Sequence, residues 1–496
     1  MQGMTSVVNG LANTSVPQFV NVVDSLSSAN LQGADGALNL QPILDTQQAM
    51  TAANTSLQQQ VTTYNNLPGA HISMISQAYD SGKKQLDTLG TTINQLAATF
   101  NMLPQMLNGN QTYAIIAQTP SELRSSGGLI GSVGELTINN GKIDVGNFHS
   151  NGDYLRITHD AAPHTQDEQH YFRDKGPLNM SFDIRDIAVF PNTADTAKAM
   201  QAVWQKTPWG ANTPLSGVIM ADPAFVQNLI GLTGDVHLSN GAVLTGKNTA
   251  EYLLNTVYIE YPNDGSMTDM VFEKAATQAI SHMFSDMNVN KLMKVGKSLG
   301  QMAQERHFTM YSFNENVEKD IQNAGFTATT PDSSTQPEIG VYMNEQSPSK
   351  MGWYLKRNVT ITPETCNGNG SRKYRVQYHM TNTATDAEIA QLPWCITGSI
   401  KTQPGWMYEK MLFFAPKGGS ISDFNASGSG SAENIAQVPM NGEKPYGALA
   451  KLLPGQTLTF SYTVTVAPDA TAELGVDQTP LNEPGSNVTY EKGSCK

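Results

Sequence analysis

At 496 residues the chain is too long for one hydrophobic core, and roughly 100–200 residues per domain gives two to four units. It is acidic, at a net charge of −13, with only 15% charged residues and an abundance of Asn, Thr, Ser and Gln. Eight arginines leave no basic field for nucleic acid and no attraction to an anionic membrane surface, and no run of about 18 apolar residues is present to span a bilayer.

Met50, Ala53, Leu57, Val61 and Tyr64 fall on one helical stripe, and Leu86, Leu89, Ile93, Leu96 and Phe100 repeat the pattern at steps of three and four. Leu67-Pro68-Gly69 would end the first stripe, so residues 1–110 are expected to form a helical stalk built on an antiparallel hairpin. A coiled-coil surface for a partner is the alternative. Residues 113–145 read as a short apolar strand, a polar turn carrying Arg124, then Gly127-Gly128, then a hairpin signalled by Asn139-Asn140-Gly141.

Residues 111–330 alternate strand and helix signals, which implies a sheet covered by helices. Residues 218–221 are a buried strand, and Asp222-Pro223 caps and opens a helix bearing Phe225, Val226, Leu229 and Ile230. Asn248 and Glu251 suggest a capping pair, Phe272 to Met283 another helix, and residues 307–313 a returning strand. A polar linker at 331–337 precedes a change to period two: Tyr374, Val376, Tyr378 and Met380, and then Leu458, Phe460, Tyr462 and Val464, alternate with polar residues. Asn367-Gly-Asn-Gly370 supplies a hairpin turn, so residues 335–496 are expected to fold as a separate, immunoglobulin-like β-sandwich.

The segment 113–145, with Asp183-Ile-Arg-Asp186, residues 217–223, residues 232–235 and Ser349-Lys-Met-Gly-Trp-Tyr354, resembles the bacterial domain-of-unknown-function 4012 family over most of the chain. That resemblance implies a membrane-anchoring helix absent from this chain, an extracytoplasmic location at the cell surface, and a Met1 that begins a trimmed ectodomain. The central order of strand, arginine turn, strand, Arg-Asp pair, insertion, strand and helix is similar to LytR-CpsA-Psr proteins. These transfer glycans from a polyprenyl-pyrophosphate carrier to the cell wall, with arginines on the pyrophosphate, an Asp placing magnesium and an apolar tunnel for the lipid. The combined likeness implies a multidomain α/β plus all-β chain whose central domain binds or transfers a lipid-linked envelope glycan to a cell-wall polymer.

Carried onto this sequence, Arg124, Arg173 and Arg185 would bind the ligand phosphates, and Asp186 would be the catalytic and magnesium-holding carboxylate of a magnesium-assisted glycan phosphotransferase. Two phosphates need fixed bidentate donors and a metal to offset their charge. The chain departs from the pattern where the second family carries further arginines: none occurs between Arg185 and Arg306, and Glu260, Asp264 and Asp269 stand there instead. Arg124 tying its own turn to the hairpin, and Arg185-Asp186 as a strand-end ion pair, are the bland readings. A non-catalytic surface scaffold or adhesion protein is accordingly the alternative function. Convergence of Arg124, Arg173 and Arg185 on one apolar-lined cavity would favour the first reading, and separate surface patches the second.

His149, Asp153, His159, Asp160, His164, Asp167, Glu168 and His170 place four of nine histidines in one polar segment, a set suited to zinc or to simple solvation. Of the three cysteines, an oxidising compartment would pair two and leave one. Three pairings exist. Cys366–Cys495 is preferred because it would pin the C-terminus to a strand end. Nucleophile elbow, Walker and dinucleotide-binding motifs are missing, since Gly127-Gly128 leads to a hairpin rather than a helix.

Overall fold

The computed structural model describes residues 2–33, 36–68, 73–366, 372–398, 403–485 and 487–493. Helix α1 (Gln2–Gly10) continues through a π-helical turn at Leu11–Ser15 into α2 (Val16–Ser27), and α3 (Gln41–Asn65) and α4 (Ser73–Leu107) follow. α3 and α4 run antiparallel. Gln47 reaches Asn101, Asn54 reaches Asn94, and Asn65 reaches Asp87, so rising numbers on one helix meet falling numbers on the other. Met50, Leu57, Tyr64, Leu86, Ile93 and Phe100 form the seam, as their spacing requires. Leu89 is the exception at 43% exposed, because its position falls at the edge of the stripe set by 86, 93 and 100. Gly82 and Gly90 let the helices approach: a Cβ would meet the Tyr64 hydroxyl at 2.3 Å and Val61 at 2.8 Å. Gly69 of the intervening turn lies outside the described residues.

The helical pair is docked on the rest of the chain. Ala98, Met102, Met106 and Leu107 of α4 share a core with Tyr113, Ile115, Leu136 and Ile138 of the first sheet. That sheet has the order β3 (Lys142–Ser150), β2 (Gly127–Asn139), β1 (Asn110–Arg124), β4 (Gly217–Ala221), β5 (Phe308–Ser312). β1 and β4 are parallel, and the other neighbours are antiparallel. Asn140 and Gly141 both take positive φ, 48° and 85°, which makes the Asn-Gly turn the two-residue hairpin expected between β2 and β3. Ser125 and Ser126 make a second tight turn, since Arg124 already pairs with Gly127. A Cβ on Gly128 would sit 2.2 Å from the Thr119 backbone, so no side chain fits there.

Five further helices follow: α5 (Thr193–Trp204), α6 (Pro223–Thr233), α7 (Gly265–Phe284), α8 (Val289–Gln304) and α9 (Glu315–Asn323); Asp222 caps α6 in the expected way. Its carboxylate accepts from Phe225 N at the start of α6. Asn248 behaves otherwise. Its Oδ1 accepts from Thr245 N and Oγ1, which tightens the preceding turn, and makes no cap for the helix after it.

The C-terminal part holds two five-stranded sheets. One has the order β10 (Ser420–Gly428), β13 (Thr457–Thr465), β8 (Arg372–Asn382), β7 (Leu355–Cys366), β15 (Val488–Tyr490); the other has β11 (Ser431–Gln437), β12 (Tyr446–Leu452), β9 (Met407–Phe414), β6 (Glu338–Glu345), β14 (Gly475–Gln478). Tyr374, Val376, Tyr378, Met380, Leu458, Phe460, Tyr462 and Val464 all point into a core shared with Val341, Met343, Met411, Phe413 and Ala450 of the facing sheet. The period-two alternation therefore marks the buried face correctly. Asn367–Gly370 lies outside the described residues, although β7 and β8 pair antiparallel on either side of it.

The opposite face of β6 and β9 is not wet. Tyr342, Leu412 and Phe414 join the core beneath the first sheet, beside Phe172, Phe190 and Met200. Polar bonds reinforce this junction: Ser125 N donates to Asn344 Oδ1 at 3.0 Å, and Arg306 Nε and Nη2 clasp Asp477 at 2.5 and 2.6 Å. The end of β1 and the turn that follows it are thereby pressed against the C-terminal sheets. The result is a mixed α/β N-terminal region with two β-sheets C-terminal to it.

Candidate functional site

At this junction lies a cavity of about 340 Å³, lined chiefly by Glu122, Arg124, Arg185, Asp186, Glu345 and Lys350, with the hydroxyls of Ser181, Ser347 and Ser349 and the amides of Asn151 and Asn179 between them. The tight Ser125-Ser126 turn delivers Arg124 to its floor. Arg124 Nε and Nη2 donate to Asp186 Oδ1 at 3.3 and 3.1 Å, and Nη1 donates to Leu123 O at 2.9 Å. Asp186 Oδ2 accepts from Ser181 N and Oγ at 2.7 and 3.0 Å. Both residues are buried, so this is a desolvated ion pair whose remaining lone pairs are satisfied.

Arg185 points its half-exposed guanidinium at buried Asp183, 2.7 Å from Oδ2. Burial alone would raise the Asp183 carboxyl, but the bonds from Arg185 and Ser181 outweigh it and hold the group below its ordinary value. Arg173 stands apart from the cavity. Its Nη2 is 2.5 Å from Asp160, its Nε donates to Met180 O, and its guanidinium lies over the Phe182 ring. Two of the three arginines thus share one cavity, and all three have carboxylate partners.

The opposite wall comes from the C-terminal sheets. Lys350 is tied to Glu122; burial would lower its pKa, and the carboxylate more than reverses that, so the ammonium stays charged. Glu345 Oε1 accepts from Ser347 and Ser349 hydroxyls at 2.7 and 2.6 Å, while Oε2 has no partner among the described residues. Burial pushes its carboxyl up to about 8. Glu409, its direct cross-strand neighbour, is fully buried with neither oxygen bonded, and burial beside Glu345 drives it well above the ordinary range. Burial and mutual proximity favour the protonated form of both carboxyls.

Three cations and three carboxyls line the cavity, and each cation already faces an acid. Magnesium does not fit Asp186, because a guanidinium and a serine take its two oxygens. No cluster of three or more His, Cys, Asp or Glu side chains is placed to hold a metal among the described residues. The His-rich segment is spread out accordingly: His149 stacks on Trp209, His164 stacks on Phe182, and Asp167 and Glu168 bond Asn441. Cys395 is a free thiol, whereas Cys495 and the Cys366 side chain lie outside the described residues.

Glu122, Lys350, Glu345 and Glu409 were not singled out by sequence as site residues. Glu122 sits within the 113–145 segment and Lys350 within the Ser349–Tyr354 segment, both noted for their resemblance, the signals that pointed here. Glu345 and Glu409 occur in strand patterns where burial cannot be told from exposure.

A family model described as "Protein of unknown function (DUF4012)" matches residues 108–258, the stretch that carries Arg124, Arg173, Arg185 and Asp186. No curated protein and no solved structure matches the chain. The likeness to LytR-CpsA-Psr proteins rests on the sequence reading alone. No helix among the described residues is long and apolar enough to cross a membrane.

Proposed function

We propose that this chain is an extracytoplasmic bacterial surface protein, tethered by a membrane helix outside it, that binds the sugar portion of a lipid-linked envelope glycan in the junction cavity. The observation that carries the reading is the charge-balanced wall. Alternating donors and acceptors over about 340 Å³ suit the hydroxyls and amides of a saccharide, and the size lies in the range of small-ligand pockets. Pyrophosphate is disfavoured, because every cation is already neutralised by its own carboxylate. In this reading Arg185 contacts ligand, and Arg124 and Asp186 hold the floor in shape. The central LytR-CpsA-Psr-like and C-terminal immunoglobulin-like assignments are part of the same proposal, as are the boundaries 1–110, 111–330 and 335–496.

The second reading, a non-catalytic scaffold or adhesion protein with a degenerate α/β domain, is favoured by one observation: both oxygens of Asp186 are occupied, which leaves no free carboxylate for phosphotransfer. A panel of bacterial envelope saccharides, screened with the full chain and with Arg185→Gln, separates the readings. Saccharide binding that Arg185→Gln weakens supports the cavity. Binding to no saccharide moves the assignment to the scaffold.

A further inference from the structure

Trp394 is the most exposed large apolar side chain among the described residues, at 62%. An aromatic ring seldom stands out this far, because it carries roughly 150–250 Å² of surface that gains from burial. The chain around it does the opposite. Leu392 and Cys395 pack on the sandwich core and Ile396 is buried in it. Pro393 opens one helical turn, Trp394–Thr397, which closes with Gly398 N donating to Trp394 O. The indole has a bond of its own: Nε1 donates to Asn263 Oδ1 at 3.4 Å, and the Asn263 amide nitrogen has no partner among the described residues.

That helical turn is seated on the wall of the junction cavity. Lys350 N donates to Ile396 O at 2.9 Å, and a Cβ built on Gly398 would lie 3.3 Å from Ser349 Cβ and 3.6 Å from Pro348 O; Pro348, Ser349 and Lys350 all line the cavity. Cys395 Sγ lies 3.8 Å from Tyr258 O, and the Tyr258 ring lies 4.4 Å beneath Lys350 Nζ. Four residues of helix rise about 6 Å, so Trp394 stands about one sugar ring beyond the cavity's edge.

We infer that Trp394 and Asn263 form a second saccharide subsite, so that the junction cavity is one end of a site for an oligosaccharide. The inference rests on the saccharide reading of that cavity and adds chain length to it. A pyranose has a face of C–H bonds and a rim of hydroxyls. The face suits the negative π-surface of an indole, and the rim suits the Asn263 amide. A protein partner would need a contiguous apolar patch of roughly a few hundred Å², whereas the exposed residues nearest in sequence on the two segments, Gln391, Asn263 and Asp264, are polar.

The test is calorimetric titration of the full chain with N-acetylglucosamine, galactose and mannose, each as the monosaccharide, the disaccharide and the tetrasaccharide. Within a series that binds, affinity is expected to rise at least about tenfold from monosaccharide to tetrasaccharide. Trp394→Ala is expected to abolish that rise, so that the tetrasaccharide binds no better than the monosaccharide, while Trp394→Phe keeps most of it because it keeps an aromatic face. Arg185→Gln, in the cavity itself, is expected to weaken every member of the series. Thermal denaturation shows that each variant remains folded, and Asn263→Ala, expected to reduce the rise at least about threefold, gives the same comparison from the other segment. A monosaccharide that binds with no gain on lengthening, or a gain that survives in folded Trp394→Ala, would overturn the second subsite and leave the cavity reading standing. Binding in none of the three series would overturn both.

Discussion

Asp186 and Glu409 are both buried carboxyls that feel the charge of Arg124, but their surroundings differ. Asp186 receives hydrogen bonds from one guanidinium and from a serine's amide and hydroxyl, whereas Glu409 receives none from any described residue. The first lines the junction cavity from the family-matched segment; the second pairs across strands with Glu345, which lines it from the C-terminal sheets. A buried ion is stable only when its lone pairs are filled, and an unfilled carboxyl protonates instead. One wall is therefore charged and fixed. The other sets the charged Lys350 near buried carboxyls whose pKa values burial raises.

The comparison is broken at the coarsest level by separating the walls. Residues 335–496 carry their own apolar core, but alone they would expose Tyr342, Leu412 and Phe414. The isolated segment is expected to aggregate, and a version with Leu412→Ser and Phe414→Ser to stay soluble with a cooperative thermal transition; sedimentation and calorimetry report both. A soluble, stable parent segment would mean that the junction contributes little.

Within the fixed wall, Arg124→Lys removes the two-nitrogen contact while keeping the charge, and is expected to cost about 3 kcal/mol in denaturant unfolding. Arg185→Gln removes a half-exposed guanidinium while buried Asp183 keeps its bonds from the Ser181 hydroxyl and the residue-185 amide, and should cost about 1 kcal/mol, less than Arg124→Lys. Similar losses from the two would erase the distinction between floor and ligand-facing arginine.

The two raised carboxyls predict a pH profile. Folded-state values for Glu345 and Glu409 are raised above the unfolded carboxyl value, so the folded chain holds more protons than the unfolded chain between them. That contribution is fully present below roughly pH 4.3 and is lost as pH rises through about 8, where Glu345 titrates. Glu409→Gln should flatten the decline and stabilise the protein by about 2 kcal/mol at pH 8, measured by unfolding across pH 5 to 9. A flat parent profile would count against the protonated pair.

The smallest effect concerns thiols. Denatured, unreduced protein is expected to titrate one free thiol, since Cys395 is unpaired, if the remaining two cysteines form a disulfide in an oxidising compartment. Three free thiols would remove that link between the C-terminus and β7.

Periodicity and turn chemistry made much of the fold legible. The seam of α3 and α4, the Asn140-Gly141 hairpin, the Asp222 cap and the inward faces of β8 and β13 all follow from local spacing. Local signals failed where distant segments meet. Arg124 and Asp186 were both visible as candidates, yet their mutual satisfaction depends on packing across 62 positions of chain. Glu345 and Glu409 pair across β6 and β9, and no window of sequence could set Glu409 opposite Glu345 or bury both. Asn248 misled because its side chain had two turns to choose from and took the earlier one.

The most direct test of the central claim is calorimetric titration of the best saccharide from the envelope panel into the parent, Arg185→Gln and Asn179→Ala. Both altered residues line the junction cavity, and Asn179 is exposed, so neither change should shift the melting temperature by more than about 3 °C. The junction-cavity reading predicts that each variant loses at least about tenfold in affinity at that unchanged stability. Equal affinity in all three proteins would contradict it.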